Sequence, residues 1–457
     1  MLKSQTYRLV CALALATLSL TLGAGPARAQ SAVTGAIGGS VADPSGAMIP
    51  NATVTLKNLG TGREETQMTS GEGLFRFPSL QPGNYALTVT TGGFADYKRE
   101  PLLVEVGRLT TVEANLNITG ATVSVDVVAD TPAVNTETKE FATNINQTAI
   151  NELPINGRRW SNFALLTPGS SPDGNFGLIS FRGISGLLNN NTIDGGDNNQ
   201  AFFSEERGRT RISYSISQSA IREFQVNTSN YSAEYGRAAG GVVNAVTKSG
   251  TNEVHGDAFY YQRNNDWGAR NPLATQSVLV NGVSTLVGIK PEDVRHQFGG
   301  TVGGPIVKDR FFFFFSYDQQ KRNFPGLAIF SNPNYLNTVD RNALKAPARG
   351  LTDSQIDTAL GFLNSVSGPV PRKGDQTLFL PKIDWQITSN HSLSATYNRL
   401  RWDSPAGIQT QPTNTRGVAS FGDDFVKIDW GTVRLQSTLL QSLLNEFRVQ
   451  YARDFEF

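Results

Sequence analysis

Hydrophobic and polar positions alternate on two scales along this chain. Residues 33–120 carry short runs: Val54 and Leu56, Phe75 and Phe77, then Tyr85, Leu87 and Val89, then Val112, Ala114, Leu116 and Ile118. Turn-forming segments separate them: DPSG from Asp43, NLGTG from Asn58, SGEG from Ser70, QPGN from Gln81 and TGG from Thr91. Side chains point to opposite faces along a strand, so this spacing predicts a β-sandwich with one apolar core.

After residue 250 the alternation becomes longer. Ile383, Trp385 and Ile387 oppose Lys382, Asp384 and Gln386; after the turn TSN, Leu393, Ala395 and Tyr397 oppose Ser392, Ser394, Thr396 and Asn398. FVKIDW (425–430) and NEFRVQYAR (445–453) repeat the design. A strand standing between lipid and a polar lumen needs this arrangement. Residues 297–320 read as strand, turn and strand, and Phe311–Phe315 is an unbroken run of phenylalanine. Such a run invites aggregation on a water-facing sheet, so one face is expected in lipid and the other against a filled lumen. Following the turn 248–252, Val254, Gly256, Ala258 and Tyr260 alternate with His255, Asp257, Phe259 and Tyr261. Phe259 falls on the polar side, where it fits if it packs against something inside.

Residues 136–250 have a mixed α/β character. NELPINGRRWSNFALLTPG (151–169) places Trp160, Phe163, Ala164 and Leu166 on one face of a short helix. ISFRGISGLLNNNTIDGGDNN (179–199) reads as a strand, a glycine turn and an Asn-rich loop. SAIREFQVNTSNYSAEYGRAAGGVVNAVTKSG (219–250) gives two strands around a loop, and Gly240 and Gly241 suit close backbone approach. The valine-rich segment ATVSVDVVADTPAVN (121–135) has no helical period and taken alone is a last strand or a linker.

Composition narrows the classes. Lys3 and Arg8, the apolar residues 9–22 and the Ala27-x-Ala29 pattern form a secretory signal peptide over 1–29. Cys11, the single cysteine, lies in its apolar stretch, so the mature chain has neither disulfides nor thiol chemistry. Removing Lys3, Arg8 and Arg28 from the 40 basic residues leaves 37 against 39 acidic ones, which gives no case for a nucleic-acid partner. No later segment approaches the ~18 apolar residues of a transmembrane helix. Abundant glycine (45) and phenylalanine (26) in an exported chain lean towards an outer-membrane β-barrel.

GSVADPSGAMIPNATVTLKNLGTG, followed by GLFRFPSLQPGNYALTVTTGGF, resembles the carboxypeptidase regulatory-like domain, a transthyretin-like sandwich also classed with carbohydrate-binding-like folds. That resemblance implies an accessory module without catalytic residues. LPINGR…LLTPG, then Arg182-Gly183 with Asp194-Gly195, then IREFQVNTSNYSAEYGRAAGGVVNAVTKSGTN, resemble in order the plug domain of TonB-dependent outer-membrane receptors. The succession of sandwich, linker, plug and barrel strands is similar to Oar-like members of that family.

The resemblance implies a mainly β chain: signal peptide 1–29, regulatory-like β-sandwich 30–120, linker 121–135 with a candidate TonB box, α/β plug 136–250, and the first part of a transmembrane antiparallel β-barrel over 251–457. It implies a place in the outer membrane of a Gram-negative-type cell, with outer-membrane lipid around the barrel. It also implies energised uptake of a small-molecule, oligosaccharide or peptide ligand, with the periplasmic protein TonB as partner. The candidate TonB-box residues are Val123, Ser124, Val125, Asp126, Val127 and Val128, which depart from the commoner Glu-Thr-Val-Val form. The plug landmarks are Arg182, Gly183, Asp194, Gly195, Gly240 and Gly241, expected to shape that domain rather than touch ligand. Plugged transporters have about 22 strands, whereas residues 252–457 hold enough chain for roughly eight to ten. The chain is therefore read as an N-terminal fragment with an incomplete barrel. Competing readings are an Oar-like adhesion or organising protein without transport, and a periplasmic carbohydrate-binding module resting on residues 33–120.

Little in the sequence points to catalysis. His255, His296 and His391 are too scattered for a zinc motif and are expected in the lumen, turns or loops. Neither a phosphate loop nor a GxSxG elbow occurs, so no enzyme, cofactor or metal is expected. DGGDNN (194–199) lacks the spacing of a calcium loop and reads as a tight turn. Arg207, Arg209 and Arg211 are expected as solvated loop charges beside Glu205 and Glu206, and RRW (158–160) as plug-surface packing.

Overall fold

The computed structural model describes residues 33–118, 141–174, 177–201, 206–207, 214–232, 234–272, 275–280, 283–330, 338–407, 412–440 and 443–457. The signal-peptide reading and the candidate TonB box lie outside the described residues.

The predicted sandwich is present. Its strands are β1 (Gly35–Ala42), β2 (Thr53–Asn58), β3 (Glu64–Met68), β4 (Leu74–Leu80), β5 (Gly83–Thr90), β6 (Tyr97–Val104) and β7 (Leu109–Asn115). They form the sheets β4-β1-β7 and β3-β2-β5-β6. Ile37, Val54, Leu56, Phe77, Leu87, Val112 and their neighbours fill the space between. Ile118 continues the alternation in sequence but is exposed, because it lies beyond the end of β7.

The middle of the chain folds as β8 (Phe141–Ile145), α1 (Gln147–Glu152), β9 (Ser170–Asp173), β10 (Leu178–Phe181), β11 (Asn190–Ile193), β12 (Gly196–Asp197), β13 (Ile221–Ser229) and β14 (Val242–Thr247). One sheet runs β12-β11-β14-β13-β8, with β11 parallel to β14; β9 and β10 pair separately. Asn146 starts α1, its side chain accepting the Ala149 N–H at 3.0 Å. Trp160–Leu166 forms 3₁₀ turns, not a regular helix face. Trp160, Phe163 and Ala164 are buried as expected, but Leu166 runs past the edge of the core and is exposed.

The remaining strands are β15 (His255–Asn264), β16 (Thr275–Val280), β17 (Val283–Gly288), β18 (Val294–Val307), β19 (Phe311–Asn323), β20 (Gly326–Ala328), β21 (Gly368–Val370), β22 (Asp375–Thr388), β23 (His391–Ser404), β24 (Thr413–Asn414), β25 (Asp424–Leu440) and β26 (Leu443–Glu456). Seven of them make one antiparallel wall, β15-β18-β19-β22-β23-β25-β26, open at both edges among the described residues. The wall has fewer strands than the chain length suggested. The reason is that residues between β15 and β18, β19 and β22, and β23 and β25 go into long excursions. These carry the β16–β17 hairpin, the small sheet β21-β20-β24 and a helix, Asp353–Ser365, started by a Thr352–Gln355 capping box. At the other end β18 and β19, and β22 and β23, are joined by short turns. Short turns at one rim and long loops at the other are the asymmetry of an outer-membrane wall.

On the short-turn half of β22, burial is the reverse of a soluble sheet. Lys382 and Asp384 are buried, while Ile383 and Trp385 beside them are exposed on the outer surface. In the phenylalanine run, Phe312 and Phe314 turn inward and are buried, while Phe315 faces out. NEFRVQYAR behaves as predicted, with Phe447, Val449 and Tyr451 outward and Arg448 and Gln450 reaching the plug. FVKIDW does not: Val426, Ile428 and Trp430 face inward and join the plug core, leaving Lys427 exposed. This half of β25 lies near the long-loop rim, where the apolar neighbour is the plug instead of lipid.

Candidate functional site at the plug and the barrel wall

The plug meets the wall through buried polar side chains projected from adjacent strands. The turn between β11 and β12 holds Asp194 and Gly195 at φ of +49° and +73°, a left-handed conformation that glycine and short polar residues tolerate. This turn pushes the Asp194 carboxylate towards the wall. It accepts from the Thr247 N–H at 2.9 Å and the Thr247 hydroxyl at 2.6 Å, and from the Thr396 hydroxyl at 3.3 Å. Lys382 of β22 stands 3.8 Å away and donates to Thr247 Oγ1 at 2.9 Å. Burial alone would raise the Asp194 carboxyl; the Lys382 charge and the Thr247 bonds outweigh it and hold the group below its usual range. A side chain on Gly195 would collide with the Arg448 guanidinium, which donates to the Gly195 carbonyl at 2.6 Å.

A second cluster forms around Tyr214. Its hydroxyl donates to Asp318 Oδ1 of β19 at 2.7 Å, and Ser217 donates to the other carboxylate oxygen at 2.7 Å. Gln297 of β18 donates to the same hydroxyl, and Gln376 of β22 to the Tyr214 carbonyl. Burial first, then the Asp318 charge, push the Tyr214 hydroxyl well above its ordinary value, so it stays a neutral donor.

At the wall's first edge, Arg158 stacks over Phe259 at 4.2 Å and Tyr261 at 4.8 Å. That stack accounts for an aromatic residue on the inner face of β15, and each such contact contributes roughly 0.5–2 kcal/mol. A cavity of ≈ 680 Å³ opens beside it between plug and wall, lined by Arg158, Lys248, Phe259, Tyr261, Arg263 and Arg295.

The other landmarks are structural neighbours within the plug. Arg182 and Gly183 form the turn after β10, at φ of +54° and +77°, and Arg182 is exposed. Gly240 and Gly241 approach Asn189 and the Phe181 ring too closely for a side chain. These landmarks therefore separate: Asp194 and Gly195 touch the wall, while Gly240 and Gly241 pack inside the plug.

Three expectations need correction. Arg207 and Glu206 are buried, not solvated: Arg207 pairs with Asp454 of β26 at 3.4 Å, because residues 206 and 207 lie against the wall. Arg209 and Arg211 lie outside the described residues. In RRW, Trp160 belongs to the plug core, fully buried against Phe224. His296 alternates with inward Gln297, faces outward and contacts the Tyr260 hydroxyl at 2.8 Å. In the turn DGGDNN, Asp197 accepts from Asn199 and pairs with Arg237 at 2.9 Å. Lys382 and Arg448 carried a signal, their inward phase; Tyr214 and Asp318 carried none recognisable in isolation.

Residues 36–117 match the carboxypeptidase regulatory-like domain family, and residues 246–338 match the outer membrane beta barrel domain family. With the inverted wall, these matches define an outer-membrane β-barrel protein bearing an N-terminal regulatory-like sandwich. More particularly, the chain is a homologue of the TonB-dependent transporter Oar of Myxococcus xanthus, 25% identical over 362 residues. The alignment covers 76% of this chain and 31% of the relative, so the chain spans about a third of that protein's length. Among solved structures, the ferric enterobactin receptor PfeA of Pseudomonas aeruginosa is 15% identical, with a TM-score of 0.44 over 69% of this chain and 40% of its own. The outer membrane transporter YddB of Escherichia coli is 14% identical, with a TM-score of 0.46 over 68% of this chain and 38% of its own.

Proposed function

We propose that this chain provides the sandwich, plug and first wall strands of a receptor that takes up a ligand across the outer membrane, driven by TonB. The observation that carries this reading is the plug itself. It fills the inner face of the wall, and its edge strand β8 follows directly on the segment that contains Val123–Val128. Traction on that segment would reach the plug sheet at its margin. Polar contacts such as Lys382–Asp194 and Tyr214–Asp318 can exchange with water as the plug shifts. The cavity beside Arg158 offers a route along β15, and its arginines favour a ligand with anionic groups.

A TonB box pairs as an added strand, so its backbone N–H groups carry much of the contact. Proline removes a donor and blocks the ladder. Val125→Pro combined with Val127→Pro is expected to reduce retention of the full-length protein on the periplasmic domain of TonB to background. Outer-membrane insertion, followed by fractionation, should be unchanged. Retention equal to the unsubstituted protein would sink the transport reading and favour an adhesion or organising role.

A further inference from the structure

We propose that the N-terminal sandwich is a lid, clamped over the short-turn end of the lumen, which has to lift before the plug can move out. This rests on the reading that the plug is shifted by traction on residues 121–135. The sandwich presents three loops to the rest of the molecule: Asn58–Arg63, Gln81–Asn84 and Glu105–Arg108. The Asn252 N–H donates to the Gly60 carbonyl at 2.8 Å, and Arg63 donates to the Ser389 carbonyl at 3.3 Å. Gln436 donates to the Ser79 carbonyl at 3.0 Å, and Gly62 lies against Asp309. One domain thus touches the lower rim of the wall from the start of β15 to β25.

Its third loop lies on the plug. The Val106 carbonyl accepts from Asn144 of β8 at 2.9 Å and from Gln225 of β13 at 3.2 Å, and the Val106 N–H donates to Glu223. Val33, Val106 and Val246 form a small apolar contact beside them. A cavity of ≈ 310 Å³ opens beside this contact, with Arg222, Val246, Lys382 and Arg434 in its lining. An interface of hydrogen bonds around one small valine cluster suits docking that can be undone. The chain order supplies the lever. β7 is an edge strand of the sandwich and β8 an edge strand of the plug, and the chain between them joins the two. A pull on that connection loads the margin of the lid and the margin of the plug together.

Glu223 makes the clamp responsive to pH. It is buried under the loop, facing Arg222 on its own strand and Glu105 and Arg108 from the sandwich, and burial pushes its carboxyl up to about 7. Lifting the lid returns the group to water and to its ordinary value of 4.5. The docked form therefore holds the proton more tightly. Docking is strongest below the ordinary value and is lost as pH rises through about 7.

The test uses the full-length protein in outer membranes. A Cβ on Gly60 would lie 3.8 Å from Thr251 Cβ, within the reach of a disulfide, and Cys11 is the chain's single native cysteine. Gly60→Cys with Thr251→Cys is expected to crosslink nearly completely under mild oxidation. Gly46→Cys with Thr251→Cys should not, since a Cβ on Gly46 would meet no described atom within 4 Å. Crosslinking no better than this control would overturn the closed lid.

Lifting is read from Val246→Cys, beneath the lid, by its labelling with a membrane-impermeant maleimide relative to the denatured chain. The expected ratio rises about tenfold from pH 6 to pH 8, is flattened by Glu223→Gln, and stays low when the Gly60–Thr251 crosslink is in place. Equal labelling at pH 8 with and without the crosslink would overturn the lid's movement. Retention on TonB is measured separately. Its absence would remove the traction reading while the crosslink and the pH response still decide the lid.

Discussion

In β22, β23 and β25, the lower and upper halves of the wall use the same alternation in opposite phase. On the short-turn half of β22, β23 and β25, Ile383, Trp385 and Val433 face out while Lys382, Asp384 and Thr396 are buried inward. On the long-loop half of the same strands, Leu378, Leu400, Val426, Ile428 and Trp430 are buried inward, while Arg399 and Lys427 stand exposed outside. The strands run on without a break, so the backbone cannot be the cause. What changes is the medium on each side: lipid outside and polar plug contacts inside below, water outside and an apolar plug surface inside above. The period of a pattern specifies a strand; its phase specifies the surroundings.

The largest effect should come from the inner face of the lower half. Lys382→Met leaves the Asp194 carboxylate buried beside Thr247 and Thr396 without its nearby cation. Breaking one partner of a buried pair costs about 3–5 kcal/mol, whereas removing both charges costs far less. Lys382→Met combined with Asp194→Asn should recover most of the loss, since asparagine also tolerates the left-handed turn. The check is resistance of the folded protein in detergent to urea. A single variant as resistant as the parent would mean that water reaches Asp194 and that the lower lumen is not a dry polar contact.

Val433→Arg tests the outer face of the lower half. Val433 is 46% exposed, flanked across the sheet by Ala395 and Val449. In lipid a charge there costs about 2–4 kcal/mol, seen as loss of heat-resistant folded protein in outer membranes. An unaffected yield would move the lipid band away from this level.

The legible and illegible parts divide along the same line. The sandwich core could be read because each short strand stands between turn signals and buries one face, with Val54, Leu56, Leu87 and Val89 all inside. The wall strands could be read from their period. The side taken by FVKIDW could not, because a period carries no information about which neighbour lies on which side. The plug contacts were hidden for another reason. Tyr214 and Asp318 lie 104 residues apart, and no local pattern couples positions brought together only by the fold. Asp194 and Gly195 stood out through resemblance, yet their contact with Lys382 and Arg448 needed the wall in place.

The smallest predicted change is the most informative about where the membrane ends. Arg401, on the outer face of the upper half, donates to both Asp429 oxygens, at 3.0 and 2.7 Å, and Tyr397 donates to the same carboxylate at 2.7 Å. If water covers this surface, the pair is a partly exposed ion pair, and Arg401→Ala should cost less than about 1 kcal/mol. High salt should reduce even that difference, because exposed charges are screened. In lipid the outcome would be of another order: Asp429 would be left without its cation in hydrocarbon, and folding yield would collapse as expected for Val433→Arg. Urea resistance of Arg401→Ala at low and high salt separates the two cases. A small, salt-sensitive loss places the phase reversal at the lipid boundary; a large, salt-insensitive one would show that the charged rows of β23 and β25 lie within the membrane.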